Sequence, residues 1–585
     1  MSRGMRRSRS GRGLLRLLMA TALLCPLAVA GLASSVAVAS AVPANDPLAS
    51  VTYQLDPAHD GGYADSSFAG PLRRSWSLDL EGTVGYPVVA DGRVFVTIAH
   101  STGYGDDVEA LSLATGEVIW GPKTIAGTYY AGMLAYDAGR VFAINYDGRM
   151  TAFDAVTGAQ DWITQLPGQY SFTSAPTAVD GTVYVGGAGS GGTVYAVDEA
   201  TGDVSWTAAV MNGDSSSPAV GDGGVFVSYA CEQTYRFGLD GSLAWHHATG
   251  CEGGGGRTSV LHDGGLYIRD DAGMSPAVLD DQTGELLGSF SSDRAPAFDG
   301  TSMATVLGGV LALWDTSTGT RLWKSSTTDN VTAPLIANGY VVEGRADGTV
   351  ELRHEADGSL AWSGSAGTQI LPADEHNAGK LVGLAVADGA LVVPAGTRLS
   401  VFVPTNTPTV SITSGPREGR LVGPRVRFSF TSDPADADFA CTLDGTTSPC
   451  TSPVTYHLSG GTHAFSVAIA GSMIATSTRH FQVDGVAPTV RLHAFHPIVT
   501  RHPTSISDWH ATDDVSGVRV SQVRVSRAPR GRPLPGWTRR APTSASTARF
   551  HLRRDTRLCV AVRVEDRVGN WSRWTTSQCV VRVSG

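Results

Sequence analysis

Asp180 to Trp206 reads DGTVYVGGAGSGGTVYAVDEATGDVSW, and this stretch decides the fold. Asp180-Gly181 is a hairpin turn signal, because such a turn needs positive φ, which glycine adopts without steric cost. The residues after it, Thr182 to Val185, are β-branched or aromatic and suit a pleated surface. A second such run ends at Thr201-Gly202, another turn, and a tryptophan stands four residues beyond that glycine.

Both landmarks recur outward from this unit, at intervals of about 40 residues, from Trp76 to the low 400s. The first landmark returns at Gly92, Gly139, Gly223, Gly264, Gly300, Gly339 and Gly389, mostly within D-G or N-G followed by an apolar strand. The second pairs Gly116 with Trp120, Gly158 with Trp162, Gly241 with Trp245, Gly319 with Trp323 and Gly358 with Trp362, besides Gly202 with Trp206. At Gly284 the tryptophan is replaced by Gly288. Trp76 stands before the first turn glycine, and the last unit ends at Phe402-Val403 without a tryptophan. This offset predicts a ring in which the strand around Trp76 completes the last blade, leaving only short, protected edges. Eight blades follow, with Trp76, Trp120, Trp162, Trp206, Trp245, Trp323 and Trp362 as packing residues between blades.

The pairing of DGxVYV with YAxDxxTGxxxW resembles the pyrroloquinoline-quinone-like propeller repeat, whose family includes the assembly scaffold BamB and the quinoprotein dehydrogenases. The resemblance implies the propeller fold over about 330 residues and leaves the activity open. Quinoprotein alcohol dehydrogenases hold their cofactor between a tryptophan and a disulfide of adjacent cysteines, above calcium and a catalytic aspartate. This sequence has no adjacent cysteines.

The chain is too long for one core, and its 70 glycines among 585 residues point to many tight turns. Residues 1–41 read as a signal peptide: Arg3, Arg6, Arg7, Arg9, Arg12 and Arg16 precede an apolar run, and Ala39-Ser40-Ala41 has the A-x-A form, which places cleavage between Ala41 and Val42. Pro26 and the small residues weaken a spanning helix, and no other segment could cross a bilayer. Export agrees with six remaining cysteines that fall locally as Cys231 with Cys251, Cys441 with Cys450, and Cys559 with Cys579.

The repeat region is assigned to 42–405. After Asn406-Thr407-Pro408 new strands begin, and Val483 to Pro488 marks a second boundary, giving modules at 406–485 and 486–585. The first, with an Asp444-Gly445 turn, looks like the bacterial immunoglobulin-like modules, and the second resembles them more loosely. The expected fold class is thus all-β: an eight-bladed propeller followed by two immunoglobulin-like β-sandwich modules. Charge is uneven. Residues 42–405 hold 16 Lys and Arg against 42 Asp and Glu, whereas residues 486–585 hold 17 against 6. The basic end suits contact with an envelope polyanion.

Candidate sites are few. Gly186 to Gly192 and Gly253 to Gly256 lack the helix and G-K-[ST] ending of a phosphate loop, and read as hairpin connections. Asp106-Asp107, Asp270-Asp271, Asp280-Asp281 and Asp513-Asp514 lack calcium-loop spacing and read as solvated turns. His246 and His247 point to opposite faces of a strand. No G-x-S-x-G or H-E-x-x-H occurs. The sequence therefore leads to an expectation of a secreted or cell-surface, non-catalytic binding or scaffold protein, monomeric, with no cofactor, no metal and no nucleic acid, and with a protein or envelope polymer as partner. The alternative is an extracellular quinoprotein oxidoreductase or a polysaccharide-active enzyme.

Overall fold

The computed structural model describes residues 49–584 apart from 214–216, 251–255, 271–275, 376–378, 434, 436, 471 and 473–474. The expected signal peptide and its cleavage point at Ala41 and Val42 lie outside the described residues. Among these the elements are strands, with one short 3-10 turn at Ala230–Glu232. No helix among them is long and apolar enough to cross a membrane.

Eight antiparallel sheets carry the repeat, at 88–125, 133–165, 177–210, 219–247, 260–289, 297–324, 335–365 and 385–404, which we number blades 1 to 8. The innermost strand of blade 8, Ala385–Ala387, lies against that of blade 1, Val88–Ala90, so the ring closes. As the tryptophan offset predicts, the outer strand of blade 8 is Leu72–Asp79, in antiparallel register with Arg398–Pro404 (Leu72 opposite Pro404, Asp79 opposite Arg398). Arg398 grips Asp79 with two hydrogen bonds of 2.7 Å at the end of this strand pair.

The tandem motif has a direct physical meaning. Six of the seven tryptophans lie on the turn glycine of the next blade: Trp76 on Gly116, Trp120 on Gly158, Trp162 on Gly202, Trp206 on Gly241, Trp245 on Gly284 and Trp323 on Gly358. The indole N–H donates to a carbonyl of the same turn, as from Trp76 to Leu113 (2.7 Å), Trp120 to Ala155 (3.0 Å) and Trp323 to Glu355 (2.7 Å). A Cβ at Gly358 would meet the Trp323 ring at 2.5 Å, so glycine is required there for close approach as well as for its φ of +70°. Blade seams thus bury aromatic area while satisfying the polar edge of each ring.

A segment that the periodicity does not reveal lines the inner rim. The residues from Ser50 to Tyr63 wind past blades 1 to 7 in order, giving hydrogen-bond partners to the exposed edges of the innermost strands. Ser50 and Val89 exchange two backbone bonds (2.8 and 2.7 Å), and Tyr136 N–H donates to the Val51 carbonyl at 2.8 Å. Thr52 Oγ1 donates to the Pro176 carbonyl at 2.8 Å. Val220, Leu261, Phe298 and Ile336 donate to the carbonyls of Pro57, Ala58, Asp60 and Gly61 at 2.7, 2.9, 2.9 and 3.0 Å. Gly62–Tyr63 then adds a parallel strand beside Leu335–Ala337. Buried His59 anchors this strap with Nδ1 at 2.6 Å from its own Tyr53 carbonyl and Nε2 at 3.0 Å from Thr177 Oγ1.

Beyond Pro404 the chain forms two similar pairs of sheets. In one, three strands (Thr409–Ser414, Arg425–Asp433, Val454–His457) face five around Gly461–Ile469, over a core of Phe428, Phe430, Phe465 and Phe481. In the other, a three-stranded sheet faces a five-stranded one built on Val518–Pro529 and Thr556–Asp566, over Trp509, Phe550 and Val562. Cys441 is joined to Cys450 and Cys559 to Cys579. Cys231 is also in a disulfide; Cys251, its expected partner, lies outside the described residues.

Candidate functional site

The segments that enter the innermost strands of blades 5, 6 and 8 meet the end of the second strand of blade 5 at a buried ion pair. Arg269, just past Gly265–Ile268 of blade 5, binds Glu375 through Nη2 to Oε2 at 2.8 Å and Nη1 to Oε1 at 3.2 Å. Their side chains are 1% and 3% exposed, so water screens little of the attraction. Thr258 N–H donates to Glu375 Oε2 at 2.9 Å, and Arg269 returns a bond to the Thr258 carbonyl at 3.2 Å. Burial alone would raise the Glu375 pKa, but the Arg269 guanidinium outweighs it, helped by Arg257 and the Thr258 N–H, and holds the carboxyl down at about 2.

Two further arginines frame a cavity of about 240 Å³ beside this pair, lined by Arg257, Arg294, Pro372, Ala373, Asp374 and Glu375. Arg257 donates to the Asp293 carbonyl at 2.5 Å and Arg294 to the Ala373 carbonyl at 3.1 Å, which fixes both side chains. Beside the ion pair, among the described residues, two buried polar atoms have no hydrogen-bond partner: the Tyr53 hydroxyl, carried in by the strap, and Arg269 Nε. Burial, and next the Glu375 charge, raise the Tyr53 pKa, so the phenol stays protonated as a donor.

Two other pairs of ionisable residues adjoin this end of the ring. Asp106 does not behave as the solvated turn residue expected from the sequence: it is 1% exposed, accepts Gly132 N–H at 2.8 Å and pairs with buried Lys380. Asp270 follows Arg269 in the chain and accepts Glu232 N–H at 3.0 Å. Glu232 sits at φ +53°, next to Cys231 at +63°, a left-handed pair of the kind that stores strain at functional sites. Its Oε1 is buried and has no partner among the described residues, and burial, with the Asp270 charge, raises its pKa to about 7.

Elsewhere the predicted residues serve structure. Trp76, Trp120, Trp162, Trp206, Trp245 and Trp323 lie in blade seams, and Trp362 packs edge-on against Phe402 of blade 8. Gly186 and Gly187 belong to the strand Thr182–Ala188 rather than to a hairpin connection, where Phe172 leaves Gly187 no room for a Cβ. His246 stacks on Tyr235 at 4.0 Å and reaches Gln233 Oε1 at 2.9 Å. Asp513 closes on Asp484 and Asp566, with carboxylate oxygens within 4.8 Å of one another. Loop N–H groups of Val515, Ser516 and Gly517, and of Val568, Gly569 and Asn570, bind Asp513 and Asp566.

The family described as outer membrane protein assembly factor BamB matches residues 73–188, 169–289 and 240–406, more than half of the chain. The chain belongs to this family. Among curated relatives of this BamB-type chain, the quinohemoprotein alcohol dehydrogenase ADH-IIG of Pseudomonas putida is 32% identical over 26% of this chain and 24% of its own length. The dehydrogenase subunit of the quinone alcohol dehydrogenase of Gluconacetobacter polyoxogenes is 30% identical over 34% of this chain and 28% of its own. BamB of Yersinia pestis is 26% identical over 40% of this chain and 76% of its own. The chain therefore spans about a quarter of the length of the dehydrogenases it matches. Among solved structures, BamB from Moraxella catarrhalis aligns at 20% identity and a TM-score of 0.45, covering 57% of this chain and 98% of that one.

These relatives correct the expectation of a non-catalytic scaffold and of a protein that is not an enzyme. Quinone alcohol dehydrogenases predominate among them, which supports the alternative reading better. Adjacent cysteines and short catalytic motifs carry no trace of the arginines at this end of the ring, which lie far apart in the chain.

Proposed function

We propose that this chain is an exported quinone-dependent oxidoreductase acting on alcohols, with the arginine-framed pocket as its cofactor site. One observation carries the reading: Arg257 and Arg294 line a cavity beside the Arg269–Glu375 pair, and among the described residues two buried donors next to that pair, Arg269 Nε and the Tyr53 hydroxyl, have no hydrogen-bond partner. Unsatisfied buried donors are costly, and an anionic ligand removes that cost. Pyrroloquinoline quinone is a carboxylate-bearing ortho-quinone, and this donor set fits it. When bound, the quinone supplies the two-electron acceptor that oxidation of an alcohol requires.

The residues divide the remaining work. Arg257 and Arg294 hold carboxylates in a fixed orientation, since their own backbone contacts limit their freedom. Glu375 is too acidic to accept a substrate proton at neutral pH, and its role is to immobilise Arg269. Glu232, with a pKa of about 7, is suited to take the hydroxyl proton of an alcohol at physiological pH.

The test is reconstitution of the full chain with the quinone and calcium, followed by dye reduction with 1-butanol. The reading requires quinone-dependent reduction and a quinone affinity that falls about tenfold or more when Arg257 and Arg294 are changed to Gln. Absence of quinone binding by fluorescence, together with no dye reduction, overturns it.

A further inference from the structure

The last sandwich carries a second site, independent of the ring. Along Val518–Pro529 and Thr556–Asp566 the valines Val523, Val525, Val562 and Val564 turn inward to the core, which leaves Arg524 and Arg563 on the outer face of the five-stranded sheet. There the cations alternate with indoles. Arg524 lies between Trp537 and Trp574, at 4.6 and 4.5 Å from the ring centroids. Arg563 lies between Trp571 and Trp574, at 4.2 and 4.9 Å, and Arg539 reaches Trp574 at 6.0 Å.

The strand register makes this arrangement costly for a surface with no ligand. Arg524 stands directly opposite Arg539 across the edge pair, and Arg563 is opposite Gln522 on the other side. Like charges placed opposite each other on adjacent strands repel. Among the described residues none of the three pairs with a carboxylate; the arginine–carboxylate pair of this module is Arg519 with Glu565, and Asp508 is hydrogen-bonded to His493. Arg563 is steadied instead by Gln522 Oε1, at 3.0 and 2.8 Å. Burial, then the charges of Arg539 and Arg563, lower the Arg524 pKa, and its Nε is buried without a partner.

With its Nε and Nη2 on Gln522, Arg563 keeps Nη1, and Arg524 keeps both Nη groups, without a hydrogen bond among the described residues, and guanidinium N–H groups stacked on indoles in this way match the oxygens of a phosphate. The three cations come from three neighbouring strands, spaced about 4.8 Å apart, so they present a short row rather than a single point. The surrounding module adds to the field, with 17 basic against 6 acidic residues over 486–585. We propose that this face binds a linear polymer bearing repeated phosphate groups, gripped by Arg539, Arg524 and Arg563.

Binding of the full-length protein to long-chain inorganic polyphosphate is measured by biolayer interferometry at several salt concentrations around 0.15 M. Three triple variants are compared: Arg524, Arg539 and Arg563 to Gln; the same three to Lys; and exposed Arg417, Arg420 and Arg425 of the preceding module to Gln. The Gln set at the ladder weakens binding about 30-fold and lowers the slope of log affinity against log salt by about 2. The Lys set, which keeps charge but not the stacked fork, loses about 5-fold, and the preceding-module set changes less than about 2-fold. Should the ladder Gln variant unfold in thermal melts, the Lys variant decides. No binding by the native chain, undiminished binding by the ladder variants, or tighter binding to polygalacturonate or phosphatidylglycerol vesicles than to polyphosphate overturns the proposal.

Discussion

Gly288 and Gly319 line one cavity of about 470 Å³ at the seam between blades 5 and 6, and among the described residues no indole lies on Gly319 as one lies on the turn glycine at six other seams. Position 288 is where blade 5 would carry its tryptophan, opposite Val278, as Trp206 stands opposite Ala196 in blade 3. A Cβ at either glycine meets no atom within 4 Å.

Gly288→Trp should therefore stabilise the protein by about 0.5–2 kcal/mol, the usual gain for filling a void. The Thr316 carbonyl, in the position that Asp281 holds for Trp245, would receive the new N–H. Thermal unfolding checks this, and a lower melting temperature would show that the seam is already relaxed around its gap.

At an occupied seam the reverse holds. Trp120→Ala should cost about 3–5 kcal/mol, whereas Leu286→Ala should change stability by less than about 0.5 kcal/mol, because Leu286 is 64% exposed. Denaturant titration of both variants makes the comparison.

Breaking the Arg269–Glu375 pair should cost about 3–5 kcal/mol from either side, since each single change strands a buried charge. The Arg269→Met, Glu375→Leu double variant should be less destabilised than the sum of the single changes. An additive cycle would mean that the two side chains do not interact in solution.

Glu199, 3% exposed, has its pKa raised to about 8 by burial and by the neighbouring Asp137 charge. The folded state thus holds a proton that the unfolded chain releases near its ordinary value of 4.5. The stability linked to that proton is full below this value and is lost as pH climbs through about 8. Glu199→Gln should match the parent at pH about 4 and exceed it by about 2 kcal/mol at pH about 9. Equal pH profiles would refute the shift.

The ring was legible because its period is written in residues with one physical job each. Turn glycines, strand valines and seam tryptophans announce every blade, and the displaced Trp76 announces the closure. The strap was not legible, because Ser50 to Tyr63 has no periodicity and its partners are strand edges scattered over seven blades. The mouth escaped for a related reason: Arg269 and Glu375 are 106 positions apart, and only the curvature of the ring brings them together. Asp106 stands in an Asp-Asp pair typical of turns, and the Lys380 that covers it is 274 positions away. The basic surplus of the last module was visible as a count, but the alternation of arginine with tryptophan depends on strand register.

The strap and the closing strand give the chain an unusual order of assembly. Both lie at the beginning of the ring, yet Gly62–Tyr63 waits for a strand at Leu335–Ala337 and Leu72–Asp79 for one at Arg398–Pro404. A nascent chain emerging from the ribosome holds these segments unpaired until almost the whole propeller has been synthesised, and contacts so distant in sequence form slowly. The first strands of the ring are thereby the last to be paired, so closure depends on blades made at the end of synthesis.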